Sequence, residues 1–223
     1  MNILNTFFNV PVLLDSLPVL MMGLLVTLEI GVVSILVGLA GGLVLAVARL
    51  YAPGLVRTLI VAYVNVFRSI PLLVLLIVVY YALPFVGIRL SPFASAVTAL
   101  GLVSAAYTAE IFRAGIEAVP NGQFEASAAL GLSNRHTMVD VILPQAIRIV
   151  IPPLTNNSIN VMKDTALASV VAMPDLLKQA TQAQALAANP TPLIGAALIY
   201  VLLLCPMVLL VARLEKHLNR GKR

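Results

Sequence analysis

Four polar side chains recur at three- and four-residue steps inside an otherwise apolar stretch: Asn156, Asn160, Lys163 and Asp164. On a helix that spacing lays them along one stripe. A cation, an anion and two carboxamides side by side can hold a small solute that carries both charges. The stripe lines either a solute path or a seam between helices, and Lys163 and Asp164 can also neutralise each other in part. A second group stands earlier in the chain, where Asn65 and Arg68 share a face just before Pro71. For Arg68 three readings stay open: lining a path, snorkelling to the interface, or pairing with Glu29. Glu29 is expected to be internal, and Glu110 with Arg113, three residues apart, reads as a local ion pair.

The elements that must carry these groups follow from composition. Of 223 residues, 61% are hydrophobic and only 10% charged, and the mean hydropathy is +1.02. A soluble domain runs near 45–50% apolar with about a quarter charged, so these helices must face lipid. That excludes a cytosolic enzyme, a secreted disulfide scaffold and a disordered chain. The one cysteine, Cys205, cannot form an internal disulfide. An isoelectric point near 9.7 does not signal nucleic acid, because the basic residues sit at the ends of apolar runs rather than in one patch with aromatics.

A helix crosses a bilayer with about 20 apolar residues. Five runs qualify, at 17–48, 55–85, 93–112, 153–173 and 193–212. They give an all-α membrane protein with spans near 19–48, 57–84, 93–112, 153–173 and 193–212. The first two runs exceed one crossing, so tilt or kinks are expected there, with Pro71 as the natural kink in the second. Residues 1–18 read as an external or interfacial segment without the basic start of a signal peptide, and 214–223 as a basic tail. With the amino terminus outside, Arg49, Arg57, Arg113, Arg135, Arg148, Arg213, Lys216, Arg220, Lys222 and Arg223 lie inside, against Arg89 and Lys178 outside. That is a strong positive-inside bias. A polar segment, about 120–144, then falls on the cytoplasmic side, and 175–188 reads as a short external surface helix. Gly38 and Gly42 form a small-xxx-small step suited to helix packing.

Catalytic machinery is missing. There is no GxxxxGK[ST] loop and no HExxH or GxSxG pattern, and His136 and His217 stand alone. If transport here consumes energy, another chain supplies it.

The polar segment carries the most specific pattern. Glu125-Ala126-Ser127 begins a helix-forming stretch that Gly131 closes. Ser133 can cap a second short helix, which Pro144 is expected to stop. The order EAS, three residues, Gly131, nine residues, then Val141-Ile142-Leu143-Pro144 resembles the EAA loop of permeases of bacterial ATP-binding-cassette (ABC) importers. Ser127 and Val141 depart from it, with an alanine and an isoleucine as the usual residues. Further stretches resemble the polar amino acid branch of that family: GLLVTLEI at 23–30, FRSIPLL at 67–73, YTAEIFR at 107–113, LPQAIR at 143–148 and KDTAL at 163–167, where Ala166 replaces a hydroxyl residue. Together they span roughly residues 19–213.

The resemblance implies a five-span type I importer permease in the bacterial inner membrane, not itself an enzyme. It implies that Glu125, Ala126, Ser127, Gly131, Leu143 and Pro144 form a coupling loop docked on a cytoplasmic ATPase pair. It also implies a second permease subunit, identical or homologous, and an external solute-binding protein. No cofactor is expected in this chain, ATP and Mg being held by the ATPase. An amino acid substrate would find groups for its carboxylate and ammonium among Lys163, Asp164, Asn160, Asn156 and Thr165, with Asn65 and Arg68 as outer candidates. The alternative is an ion-driven secondary carrier, which commonly shows inverted repeats; no repeat is evident.

Overall fold

The structure, a computed structural model, describes residues 6–219, and these are helical without a strand. Residues 1–5 and 220–223, which include the end of the expected basic tail, lie outside the described residues. Helix α1 runs Val10–Tyr51, capped by the Asn9 side chain, which accepts from the Val12 N–H at 3.3 Å. Its 42 residues reach about 60 Å at 1.5 Å each, twice the ~30 Å hydrocarbon core. The helix therefore starts well before the expected position 19. It ends at Ala52, where the following Pro53 disfavours helical backbone.

The second expected span is an elbow rather than a rod. Helix α2, Gly54–Ser69, stops because Ile70 precedes proline and takes an extended conformation; helix α3, Leu72–Ile77, then departs at 103°. A π-helical turn at Val78–Ala82 and a 3-10 turn at Leu83–Val86 continue α3 until Gly87, whose φ of +86° ends it. Helix α4, Pro92–Glu117, begins with Pro92 behind a Ser91 cap (Ser91 Oγ accepts from the Ala94 N–H, 3.1 Å).

Three further departures concern the chain after α4. Helix α5, Asn121–Ala129, starts one turn ahead of Glu125, so that residue does not stand at a helix start. Ser133 does cap the short helix α6, Asn134–His136, but Pro144 does not stop it. A π-helical turn, Thr137–Ile142, leads straight into helix α7, Leu143–Asp164, in whose first turn Pro144 sits. Pro144 thus lies within one continuous helical run, directly after the π-helical turn, a break in the α ladder at which a residue without an N–H is accommodated. Pro152 and Pro153 lie inside α7, so the fourth crossing does not begin at 153. After Asp164 the helix tightens into a 3-10 stretch, Thr165–Val171. Helix α8 covers Leu176–Ala187 and helix α9 Thr191–Asn219. The stretches Val10–Tyr51, Pro92–Glu117, Asn134–Val171 and Thr191–Lys216 are each long and apolar enough to cross a bilayer, and the bent pair α2–α3 is so when its two arms are taken together as one broken span.

Packing is organised around α4, which presses along α1 over much of its length. Lipid-facing helices gain nothing from burying apolar surface against each other, so close backbone approach must supply the contact. The seam has it: a Cβ at Gly38 would stand 2.2 Å from Ser104 Oγ, one at Gly42 2.4 Å from Thr108 Cβ, and one at Gly101 2.8 Å from Val37 Cγ1. A core of Ile30, Leu76, Leu100 and Val171 fills the space between α1, α3, α4 and the 3-10 stretch. Helix α8 is less superficial than expected. Leu176 and Ala180 are fully buried against α1 and α9, and a Cβ on Gly23 would meet Leu176 Cα at 2.8 Å.

The same contact buries Asp175, the cap of α8. Its carboxylate accepts from the N–H groups of Lys178 (3.1 Å) and Leu177 (3.4 Å), while the Leu176 N–H donates to Thr27 Oγ1 at 3.0 Å. Burial outweighs those bonds and pushes the Asp175 carboxyl from 3.8 up to about 6.

Two predictions follow from this packing. Gly42→Val should destabilise the detergent-solubilised protein by about 1–3 kcal/mol, as overpacking does, whereas Gly54→Ala, with open space around it, should leave its melting temperature unchanged. For Asp175 the folded state binds the proton more tightly than the unfolded chain. Its contribution to stability is therefore complete below pH 3.8 and is lost as pH rises toward about 6. Asp175→Asn, which keeps a good cap, should flatten the melting temperature between pH 4 and 6.5; an unchanged slope would show that another group titrates there.

Candidate functional site

A cavity of about 270 Å³ lies between α3, α4 and the end of α7. Ser104 and Tyr107 of α4 face Asn157, Asn160, Lys163 and Asp164 of α7 across it, with Leu72 and Leu100 among the apolar lining. Its size is near the lower end of the ~300–1,000 Å³ of small-molecule sites, and a mostly apolar wall with a few convergent polar groups is their usual character. It opens on the flank of the chain, where Tyr107, Asn160 and Lys163 are exposed.

The polar stripe is present, but rotated from its expected phase. At about 100° per residue, Asn157, Asn160 and Asp164 share the centre of the face, and Lys163 sits at its border. Asn156 is exposed and does not line the cavity. Asn157, absent from the sequence candidates, takes its place. Its Nδ2 donates to Ser104 Oγ at 3.2 Å and lies 3.4 Å from Thr108 Oγ1, tying α7 to α4. An adjacent Asn-Asn pair offers two stripes, and only the small hydroxyl residues of α4 select between them. Lys163 occupies the last turn of α7, beside carbonyls that a cation complements.

The remaining path candidates lie elsewhere. Thr165 is fully buried, and its hydroxyl donates to the Met162 carbonyl at 2.7 Å in the turn from α to 3-10 geometry, so it faces away from the cavity. Asn65 and Arg68 are exposed near the end of α2 and do not line it. Arg68 nonetheless touches its wall: the guanidinium lies 5.4 Å from the centre of the Tyr107 ring, a cation–π distance, and 3.7 Å from Glu110. Its acidic partner is thus Glu110, not Glu29. Glu29 is exposed on the apolar outer face of α1, beside Val32, Val33 and Phe93, which corrects its internal placement.

Glu110 is a junction rather than one half of a local pair. It accepts from Arg113 Nε at 3.0 Å, and Arg49 of α1 (3.5 Å) and Arg68 of α2 converge on the same carboxylate. Arg113 also binds Glu117. Three helices are therefore pinned at one point on the basic end of the bundle, one helical turn below Tyr107.

The loop at that same end is a folded unit. Its helix α5 closes in a Schellman turn: Gly131, at φ +72°, donates to the Ala128 carbonyl (3.0 Å) and Leu132 to that of Ser127 (3.1 Å). Val119, Ile142 and Ala146 form a small buried core beneath it, with Phe124 packed against them. Glu125, Ala126 and Gly131 face outward, with Leu130 79% exposed at the tip. Ser127 is buried, and its hydroxyl donates to the Gln123 carbonyl at 2.7 Å. Its small size thus serves the packing of α5 on its own chain, not approach by another. Leu143 is half-buried and Pro144 exposed where α7 leaves the loop.

A bent five-crossing bundle with a folded loop at its basic end and a polar cavity on its flank defines a class of transport subunit, and comparison with known proteins agrees. Residues 38–221 match the model of the binding-protein-dependent transport system inner membrane component family, and the chain belongs to that family. It is 38% identical over 208 residues to the arginine transport system permease protein ArtQ of Bacillus subtilis, covering 92% of this chain and 95% of that one. It is 37% identical to the probable glutamine ABC transporter permease protein GlnM of the same organism, over 96% and 99%. Among solved structures it is similar to an amino acid ABC transporter crystallised with histidines, at a TM-score of 0.88 and 34% identity over 92% of this chain and 96% of that one. A methionine ABC transporter, MetNI, in an inward-facing conformation matches at a TM-score of 0.74 and 26% identity over 91% and 97%. The fold is that of a type I ABC importer permease, an inner-membrane transport subunit rather than an enzyme. None of these matches supports the secondary-carrier alternative.

Proposed function

We propose that this chain is the permease of an ATP-driven amino acid importer, and that the α3–α4–α7 cavity holds the substrate during passage. The observation that carries the reading is the meeting of Asp164, Lys163 and two asparagines in one cavity that opens on the flank of the chain. Asp164 suits an ammonium group and Lys163 a carboxylate, while Asn157 and Asn160 supply neutral donors and acceptors. Leu72 and Leu100 leave the solute side chain an apolar wall. A second permease subunit, seated against the open flank, closes the cavity and keeps both charges out of lipid. The printed names of the relatives, arginine and glutamine permeases among them, support the amino acid class.

Energy enters at the other end. In this reading the outward side of the α5 loop, Glu125, Ala126, Leu130 and Gly131, sits in a groove of an ATPase subunit that holds ATP and Mg. An external binding protein delivers the solute. Motion of the ATPase pair tilts α5, and the continuous run from α6 through α7 carries that tilt to Asn157, Asn160 and Asp164. Shifting such a switch from 1:99 to 99:1 takes about 5.5 kcal/mol of differential binding. ATP and the loaded binding protein share that work.

The experiment uses the whole assembly in proteoliposomes. Gly131→Leu forces a branched residue to φ +72° and should abolish binding-protein-stimulated ATP hydrolysis while insertion and subunit association persist. Asp164→Ala should leave the ATPase partner bound and lower uptake at least tenfold. Normal coupling in the first variant would overturn the role of the loop, and unchanged uptake kinetics in the second would remove the cavity from the path.

A further inference from the structure

On the reading that the α3–α4–α7 cavity holds the substrate, its depth decides which side chain that substrate carries. The mouth is polar: Tyr107, Asn160 and Lys163 stand there, exposed on the flank of the chain. The deep end is formed by buried residues. Leu100 is 1% and Val161 5% exposed, with half-buried Leu72 and Val103 beside them. The polar side chains at that depth, Ser104 and Asn157, are uncharged and bonded to each other at 3.2 Å. Because these residues are covered by their own chain, a subunit seated on the flank closes the mouth and leaves the deep end as it is.

The charges of the cavity are few. Its lining carries one carboxylate, Asp164, and one ammonium, Lys163. The two are adjacent on a helix, where neighbouring side chains diverge, and among the described residues neither forms an ion pair. Both are therefore open to a solute, and the ammonium and carboxylate of a zwitterion use both. Nothing is left for a third charge. Glu110, the first acidic residue of α4, is held by Arg49, Arg68 and Arg113. Arg68 leans on Glu110 and the Tyr107 ring from outside the lining, and Glu29 faces outward beside Val32 and Phe93. A charged side chain at the deep end would lose its water without gaining a counter-ion, a penalty larger than its methylenes recover against leucine and valine.

We propose that the cavity selects amino acids whose side chain carries no charge, with Leu100, Val161 and the Ser104–Asn157 pair as the selectivity element. Asp164 answers the α-ammonium and Lys163 the α-carboxylate. The side chain then points inward, where an aliphatic or carboxamide group is accepted and a guanidinium, ammonium or carboxylate group is refused.

The test is direct binding to the permease–ATPase complex in nanodiscs, without the external binding protein, whose own selectivity would otherwise decide what arrives. Saturation-transfer NMR titrations with L-alanine, L-glutamine, L-arginine and L-glutamate give an affinity for each. The wild type should bind alanine and glutamine at least about tenfold more tightly than arginine and glutamate, a modest ratio for a site in which the wrong substrate leaves a buried polar group unpaired. Asn157→Asp adds a carboxylate at the deep end with little change of shape, and the Ser104 and Thr108 hydroxyls can turn to donate to it. It should raise the affinity for arginine at least about tenfold. Asn160→Asp, at an exposed position of the same lining, should also raise it and keeps the test open if Asn157→Asp does not fold. Arginine or glutamate bound by the wild type as tightly as glutamine would overturn the selectivity and leave the cavity as a substrate site. So would the absence of any gain for arginine in both variants. No saturable binding of any of the four, or binding that Asp164→Ala leaves undiminished, would instead overturn the substrate-site reading itself, and the selectivity with it.

Discussion

The arrangement depends on the absence of side chains at Gly38 and Gly42. In a bilayer, lipid solvates leucine as well as another leucine does, so two helices stay together only where their backbones come close. Ser104 and Thr108 of α4 fill the space those glycines leave on α1, and the same two hydroxyls receive Asn157 of α7. One seam therefore fixes the spacing of α1 and α4 and the rotation of α7. The direction of the polar cavity follows from that rotation.

Helix α4 then acts as a common spine. One turn beyond the cavity it carries Glu110, which gathers Arg49, Arg68 and Arg113 from three helices. Arg68 joins the two features, since it contacts both the Tyr107 ring on the cavity wall and the Glu110 carboxylate. Past Glu117 the chain turns directly into α5. Along α4 the Glu110 junction thus lies between the α5 loop and the cavity. The elbow at Ile70–Pro71 places the arginine-bearing end of α2 against this spine while α3 turns across to the cavity. A straight second crossing would not serve both places.

Much of this was legible in the residues. Apolar runs marked the long apolar helices though not their ends, Pro71 marked the break in the second run, and the EAS–Gly131 spacing marked the folded loop with its left-handed glycine. The errors have physical reasons. Asn156 and Asn157 are neighbours, and nothing in one chain says which of two stripes meets a partner helix until the small residues of α4 are placed. Pro144 looks like a helix stop, yet it follows a π-helical turn inside a continuous helical run, and Pro152 and Pro153 lie within the same helix. Thr165 belongs to a charged motif but spends its hydroxyl on the Met162 carbonyl. Ser127 belongs to the coupling-loop pattern, yet it is buried and its hydroxyl donates to the Gln123 carbonyl within α5. Arg68 found Glu110, one turn from Tyr107, because the elbow turns α2 toward α4 and away from the outer face on which Glu29 stands.

The central claim is that force enters through the outward tip of the α5 loop. Cross-linking at that tip tests it most directly: Leu130→Cys in a Cys205→Ala background, with the complete transporter in membranes and a short thiol-reactive cross-linker. The account predicts a covalent product with the nucleotide-binding subunit, its yield changing between ATP-bound and nucleotide-free states. A thiol at position 130 that reacts from the external face, or that yields no product with the ATPase in a transport-competent assembly, would contradict it.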